Sequence, residues 1–189
     1  MTGAATVARL TPAHAATYRD LMLRAYEGHP EAFTTSAPER AGLPLDWWER
    51  RLDPSPDPVE VVFGAWHNGQ LVGLAGLSRE ARLKARHKTT LFGMYVLPDC
   101  RKLGLGHALV EAVLAHARSC AGVRLVQLTV THGNHAAQAL YERCGFVAFG
   151  LEPMAVAVGD GFVSKVHMWC DLAQAVRVSP ADGAARAAP

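Results

Sequence analysis

The sequence has 189 residues, 50% of them hydrophobic and 19% charged, and its 19 basic and 17 acidic side chains leave a formal net charge of +2. That length suits one domain, or one domain and a tail, large enough to bury a core without disulfide or metal support. The small, dispersed positive charge excludes a nucleic-acid binder that works by counterion release, and no stretch approaches the roughly 18 apolar residues of a membrane span.

Thr6 to Leu10 reads as a short first strand. Thr11-Pro12 marks a helix start, with threonine capping and proline at the first helical position. Tyr18, Leu21, Met22 and Ala25 follow at helical spacing until Gly28-His29-Pro30 stops the helix. Glu31 to Arg51, with Phe33, Trp47 and Trp48, is irregular and then weakly helical, and the prolines between Asp53 and Pro58 make a connection. Val59 to Trp66 and Gln70 to Ser78 read as a hairpin closed by Asn68-Gly69, and Arg79 to His87 is a basic connection. Lys88 to Leu97 is a strand, Gly104 to Cys120 a helix with Leu105, Leu109, Val113 and Ala117 on one stripe, and Leu125 to Thr131 a strand. Asn134 to Cys144 is a short helix ended by Gly145. Phe146 to Phe149, Met154 to Val158 and Phe162 to Trp169 are late strands, the last two joined by Gly159-Asp160-Gly161.

The strand–helix–strand unit from Lys88 to Thr131 implies one parallel pair, and the flanking hairpins are antiparallel. The expected fold is therefore α+β, a mixed sheet with helices on both faces. Residues 1–171 are read as one domain and 172–189 as a flexible tail, because Ser179 to Pro189 is Ala, Pro and Gly with little to bury. Cys100, Cys120, Cys144 and Cys170 show no metal-ligand spacing, so no metal is expected and the thiols are read as reduced, in a cytoplasmic protein. The first residues lack a charged start followed by an apolar run, so no signal peptide is expected.

The segment from Arg101 to Ala108 lies where a strand hands over to a helix. Free N–H groups and the positive dipole end of a helix bind phosphates there, Gly104 and Gly106 let the backbone come close to a bulky anion, and Arg101 and Lys102 add charge. A Walker loop needs Gly-Lys-Ser/Thr where Gly106-His107-Ala108 stands, and a dinucleotide fingerprint needs a glycine where Leu109 stands. A glycine-rich helix start without a ligand is the bland alternative.

Arg101, Gly104 and Gly106, read as R-x-x-G-x-G, resemble the pyrophosphate loop of the GNAT superfamily of acyl-CoA N-acyltransferases. The strand Leu91 to Val96 before Pro98 and the run from Asn134 through Tyr141 to Gly145-Phe146 resemble the same family, in its order and spacing. Lys102 departs from it, since many members carry glycine there; the residue has only to offer its N–H, so the change is expected to be tolerated. The resemblance implies a mostly antiparallel sheet of about seven strands with a splayed parallel pair. It implies acetyl-CoA as co-substrate, held by the backbone of Arg101, Lys102, Leu103, Gly104, Leu105, Gly106, His107 and Ala108. It further implies backbone pairing of Met94, Tyr95 and Val96 with the pantetheine amides, and an N–H near Met94 polarising the thioester carbonyl. Asn134 is a helix N-cap on its own terms, and a cofactor contact by resemblance.

Tyr141 stands on an apolar helical face with Ala137, Leu140 and Cys144, which makes it a core tyrosine; the resemblance makes it also a cofactor contact and the catalytic proton donor to the departing thiolate. A phenol with an ordinary pKa of about 10 nearly matches an alkyl thiol. The general base is left open among His132, His167 and water. The implied activity is acetyl transfer to a primary amine of a small molecule or peptide by direct attack on the thioester. The alternatives are a non-catalytic acyl-CoA-binding module and a protein N-terminal or lysine acetyltransferase. A homodimer is compatible with such a fold; no nucleic acid or membrane partner is expected. The basic connection Arg79 to Lys88 is read as solvated surface or as a contact for the CoA 3′-phosphate or an acidic acceptor.

Overall fold

The computed structural model describes residues 5–173, so the tail expected at 172–189 lies outside the described residues from 174 onward. Seven strands form one sheet in the order β1-β2-β3-β4-β5-β7-β6: β1 (Thr6–Arg9), β2 (Glu60–His67), β3 (Gln70–Arg79), β4 (Lys88–Val96), β5 (Leu125–Thr131), β6 (Val147–Val158) and β7 (Gly161–Asp171). Every neighbouring pair is antiparallel except β4 and β5. The β2–β3 turn is the expected one: Asn68 and Gly69 both have positive φ, 51° and 76°, the pair of left-handed residues that a type I′ turn requires.

Helices cover both faces. On one lie α1 (Ala15–Gly28), α2 (Ala37–Ala41) and α3 (Leu45–Arg50); on the other lie α4 (Leu105–Ser119) and α5 (His135–Arg143). Strand alternation separates the two cores. Val61 and Ala75 pack with α4 residues Leu109, Val110 and Val113, whereas their neighbours Val62 and Leu74 pack with Tyr18, Met22 and Trp48. Leu109 is fully buried, so truncation to alanine there costs about 2–5 kcal/mol. Trp48 serves the second core, and Trp47 packs beside it between the guanidinium groups of Arg40 and Arg51. Among the described residues, no helix is long and apolar enough to cross a membrane.

Two local readings change. Thr11 caps a 3₁₀ turn over Pro12–His14 before α1 starts, in a reciprocal box with the His14 ring. The two strands expected at 146–149 and 154–158 are one strand, β6. It carries register shifts at Ala148/Gly150 and Glu152/Val156, and a left-handed Met154. Pro153, which read as a strand breaker, is tolerated because β6 is the edge of the sheet and a missing N–H there costs little.

Candidate active site

The parallel pair is where the sheet opens. β4 and β5 are in register only at Lys88↔Leu125, Thr89↔Val126 and Thr90↔Gln127, while β5 stays paired to β7 through Thr131↔Lys165. From Leu91 onward β4 keeps its β3 neighbour and leaves its other edge without a strand. Gly93 sits within this free stretch at φ 62°, and the β3–β4 register slips by one residue there. This is a bulge that re-aims the backbone around Gly93-Met94. Met94 is half-buried, and Tyr95 and Val96 are buried by their side chains. The Val96 carbonyl already accepts a bond from Arg101 Nε at 3.2 Å.

Beyond β4, Pro98–Cys100 makes one 3₁₀ turn and the chain enters the anion cradle. The first helical bond of α4 runs from the Ala108 N–H to the Gly104 carbonyl, 3.0 Å. Among the described residues, no backbone carbonyl accepts from the N–H groups of Lys102, Leu103, Gly104, Leu105, Gly106 or His107. Lys102 and Gly104 are both left-handed, φ 71° and 76°. Alternating hands of this kind turn successive N–H groups to one side as an anion nest. Lys102 holds its N–H in the cradle at a backbone cost: a side chain in this conformation costs about 1–2 kcal/mol.

The fold adds a packing or backbone reason for each of the two cradle glycines. At Gly104 a Cβ would meet nothing within 4 Å, so its positive φ is what requires glycine. At Gly106 a Cβ would lie 3.2 Å from Leu140 Cδ2 and 3.4 Å from Met94 Cε. The missing side chain there lets α4 approach α5 and β4, which brings the cradle, the bulge and the helix of Tyr141 together.

Asn134 caps α5, its Oδ1 accepting from the Ala137 N–H at 3.1 Å. Tyr141 is 5% exposed and packs edge-on against Phe146, 5.8 Å between ring centroids. Burial pushes its phenol well above the ordinary tyrosine range, with a smaller contribution from the nearby Cys144 thiol. The hydroxyl therefore stays protonated through neutral pH, as a donor.

The two histidines proposed as base lie apart from each other. His132 is exposed and continues the ladder from its N–H to the Ser164 carbonyl, 2.9 Å. His167 faces the open side of β7, with Nε2 2.8 Å from Glu152 Oε2 and Phe149 beside its ring. A third histidine, which the sequence offered only as a helix stop, is closer to β4. His29 lies 5.8 Å from the Tyr95 ring, with Nε2 3.1 Å from Arg101 Nη2 and Nδ1 3.5 Å from Glu31 Oε1.

Its loop is latched to the sheet by Lys165, 2% exposed, whose Nζ donates to the carbonyls of Glu31 and Ala32 and to Thr131 Oγ1, each at 2.9 Å. Thr131 Oγ1 in turn donates to the Glu31 carbonyl at 2.8 Å. The signal for this latch was a lysine inside a strand otherwise rich in apolar residues.

Beside the cradle, His107, Glu111 and Cys144 bring ligand atoms within 4.8 Å of one another, a spacing invisible in the sequence. Burial raises the Cys144 thiol to about 11, so in the metal-free chain it is protonated at neutral pH. The basic connection lies at the other end of β4, about 26 Å from the cradle at strand rise. There Arg79 pairs with Asp57 and Arg82 with Glu80.

The chain is similar in sequence and fold to known proteins. Residues 17–146 match the model of the acetyltransferase (GNAT) family. The mycothiol acetyltransferase of Geodermatophilus obscurus is 35% identical over 132 residues, 68% of this chain and 40% of that protein, and that of Salinispora tropica is 32% identical over 126 residues, 67% and 39%. The chain thus spans about two fifths of the length of these curated relatives. The fold is that of a GNAT-family acetyltransferase from Streptococcus pneumoniae, with a TM-score of 0.79 at 23% identity, covering 89% of this chain and 99% of the other. An acetyltransferase from Salmonella typhimurium, solved with its cofactor acetyl-CoA, has a TM-score of 0.74 at 20% identity, covering 98% of both chains. With a matching model over most of its length, and with the splayed strand and cradle in place, the chain belongs to the GNAT acetyltransferase family.

Proposed function

We propose that the chain transfers an acetyl group from acetyl-CoA to a primary amine of a small molecule or peptide, by direct attack on the thioester. The observation that carries this reading is the free edge of β4, bulged at Gly93, running into the unpartnered N–H groups of Lys102 to His107. A diphosphate suits that nest, because the left-handed Lys102 and Gly104 help turn several N–H groups toward one anion at the start of a helix. The edge at Met94, Tyr95 and Val96 would hold an extended amide chain as an added strand. The donor supplies an activated acetyl group. The chain's part is to orient it, to place an N–H near Met94 against the carbonyl oxygen, and to hold the Tyr141 proton near the departing sulfur. Asn134, spent as a cap, has one amide N–H₂ left for the donor. The four free thiols fit a reducing compartment such as the cytoplasm.

Calorimetry with acetyl-CoA and a thiol-release assay against amines, amino acids and peptides test the proposal together. Binding should raise the melting temperature, by about 2.7 kcal/mol of added stability at a hundred times the dissociation constant. Absence of binding at millimolar acetyl-CoA would refute the reading.

A further inference from the structure

We propose that His29 is the general base of the transfer, aligned by Glu31 and blocked by Arg101 until the donor occupies the cradle; this rests on the acetyl-transfer reading above. A guanidinium can only donate. With Arg101 Nη2 3.1 Å from His29 Nε2, that nitrogen presents its lone pair. The ring proton is then on Nδ1, which faces Glu31 Oε1 at 3.5 Å. A carboxylate within ion-pair distance of Nδ1–H and a lone pair on Nε2 are the elements of an imidazole base, one that a shorter Glu31 contact would orient.

The groups around the ring come from every side. Glu31 is on its own loop, Tyr95 on β4 and Arg101 at the cradle, with Lys165 behind the loop holding the Glu31 and Ala32 carbonyls. The loop is therefore not free to carry the imidazole away. Of the other two, His132 is exposed with no side-chain partner to orient its ring among the described residues, and Nε2 of His167 is taken up by Glu152.

One lone pair cannot accept from Arg101 and from an ammonium together. Arg101 is also the first residue of the cradle, and a diphosphate accepts from a guanidinium far more strongly than a neutral ring nitrogen does. Donor occupancy draws Arg101 off and exposes the base. The acceptor class that needs such a base is an alkylammonium, protonated at neutral pH. It gives one proton to His29 and attacks as the neutral amine. A C–N bond forms as the C–S bond breaks, the sulfur takes the Tyr141 proton, and the second amine proton returns to the phenolate. His29 releases its proton to solvent, so one proton leaves per turnover. The order that follows is donor first, acceptor second.

The test has a binding arm and a turnover arm. In protein labelled with ¹⁵N-histidine, the His29 Nε2 resonance, assigned by its loss in His29→Gln, is followed as CoA is added. It should move on CoA binding, and Arg101→Gln should move it likewise without CoA. In turnover, His29→Gln should bind acetyl-CoA as the wild type does and lose about 10²-fold or more on a primary alkylamine. It should keep its rate within a few-fold on hydroxylamine, which arrives neutral. A His29 resonance that stays in place while the amides of Lys102 to His107 shift with CoA overturns the gating. Equal losses on both nucleophiles overturn the base, as does no loss on either. A wild-type protein that binds acetyl-CoA and acetylates no amine overturns the transfer reading itself, an outcome distinct from the others.

Discussion

Replacing Lys165 with methionine keeps the stem of a nearly fully buried side chain and removes the ammonium that closes the latch. Three bonds of 2.9 Å disappear. Hydrogen bonds to a charged group are worth about 1.5–3 kcal/mol each, which would suggest a large loss. Two features shrink it. The Glu31 carbonyl keeps the Thr131 hydroxyl at 2.8 Å, so only the Ala32 carbonyl loses its partner. Burial also drives the Lys165 ammonium below the ordinary lysine range, so methionine escapes a desolvation cost that lysine bears. What remains is about one half-buried carbonyl left unpaired, roughly 1–2 kcal/mol, or a fall of about 2–8 °C in melting temperature for a domain of this size. Urea melts at pH 7 with an unchanged slope measure the loss. Hydrogen exchange over residues 29–36 should rise more than in the sheet. A variant as stable as the wild type, with unchanged exchange in that loop, would refute the latch; a loss above about 4 kcal/mol would mean that the network carries the fold and not only the loop.

Lys102→Gly and Gly104→Ala should move stability in opposite directions, a gain of up to about 1 kcal/mol for the first and a loss of about 1–2 for the second, since both positions are left-handed; thermal melts decide. Tyr141→Phe should leave stability and acetyl-CoA affinity nearly unchanged and lower turnover about 10²-fold, provided chemistry limits the rate; unchanged turnover under those conditions removes the hydroxyl from the mechanism. Because the folded-state pKa of Lys165 is depressed, the unfolded chain binds more protons. Its contribution to stability therefore improves as pH rises through the alkaline range toward about 10.4 and is least favourable at neutral pH. Subtracting the pH–stability curve of Lys165→Met isolates that slope.

Periodicity and turn chemistry made most of the fold legible, because they are local. Asn68-Gly69 and the α4 stripe were read at the right positions. The unity of β6 was not, since its continuity across Pro153 comes from pairing with β7 and from having no neighbour on the other side. The cradle motif could be read from Arg101, Gly104 and Gly106, but the constraints the fold adds could not: Gly104 also answers to φ and Gly106 to Leu140 and Met94, 34 residues ahead and 12 behind in the chain. The cluster around His29 was illegible for the same reason. His29, Glu31, Arg101 and Lys165 meet only through the tertiary fold, and His29 on its own carries the ordinary signature of a helix end.

The long outer strand has a consequence for the behaviour of the protein at high concentration. β6 runs for 12 residues at the rim of the sheet, with Val147, Phe149, Leu151 and Met154 between 56% and 64% exposed. Such a rim is a template for adventitious strand addition by another chain, the first step of insoluble aggregation. Its defence is chiefly geometric, with Glu152 the one charged side chain of the strand. The slips around Phe149 and Pro153, and the left-handed Met154, kink the rim so that no long flat stretch is offered at once. A lysine at Phe149 or Leu151 would add charge to this rim, and is the natural first change for a more soluble variant.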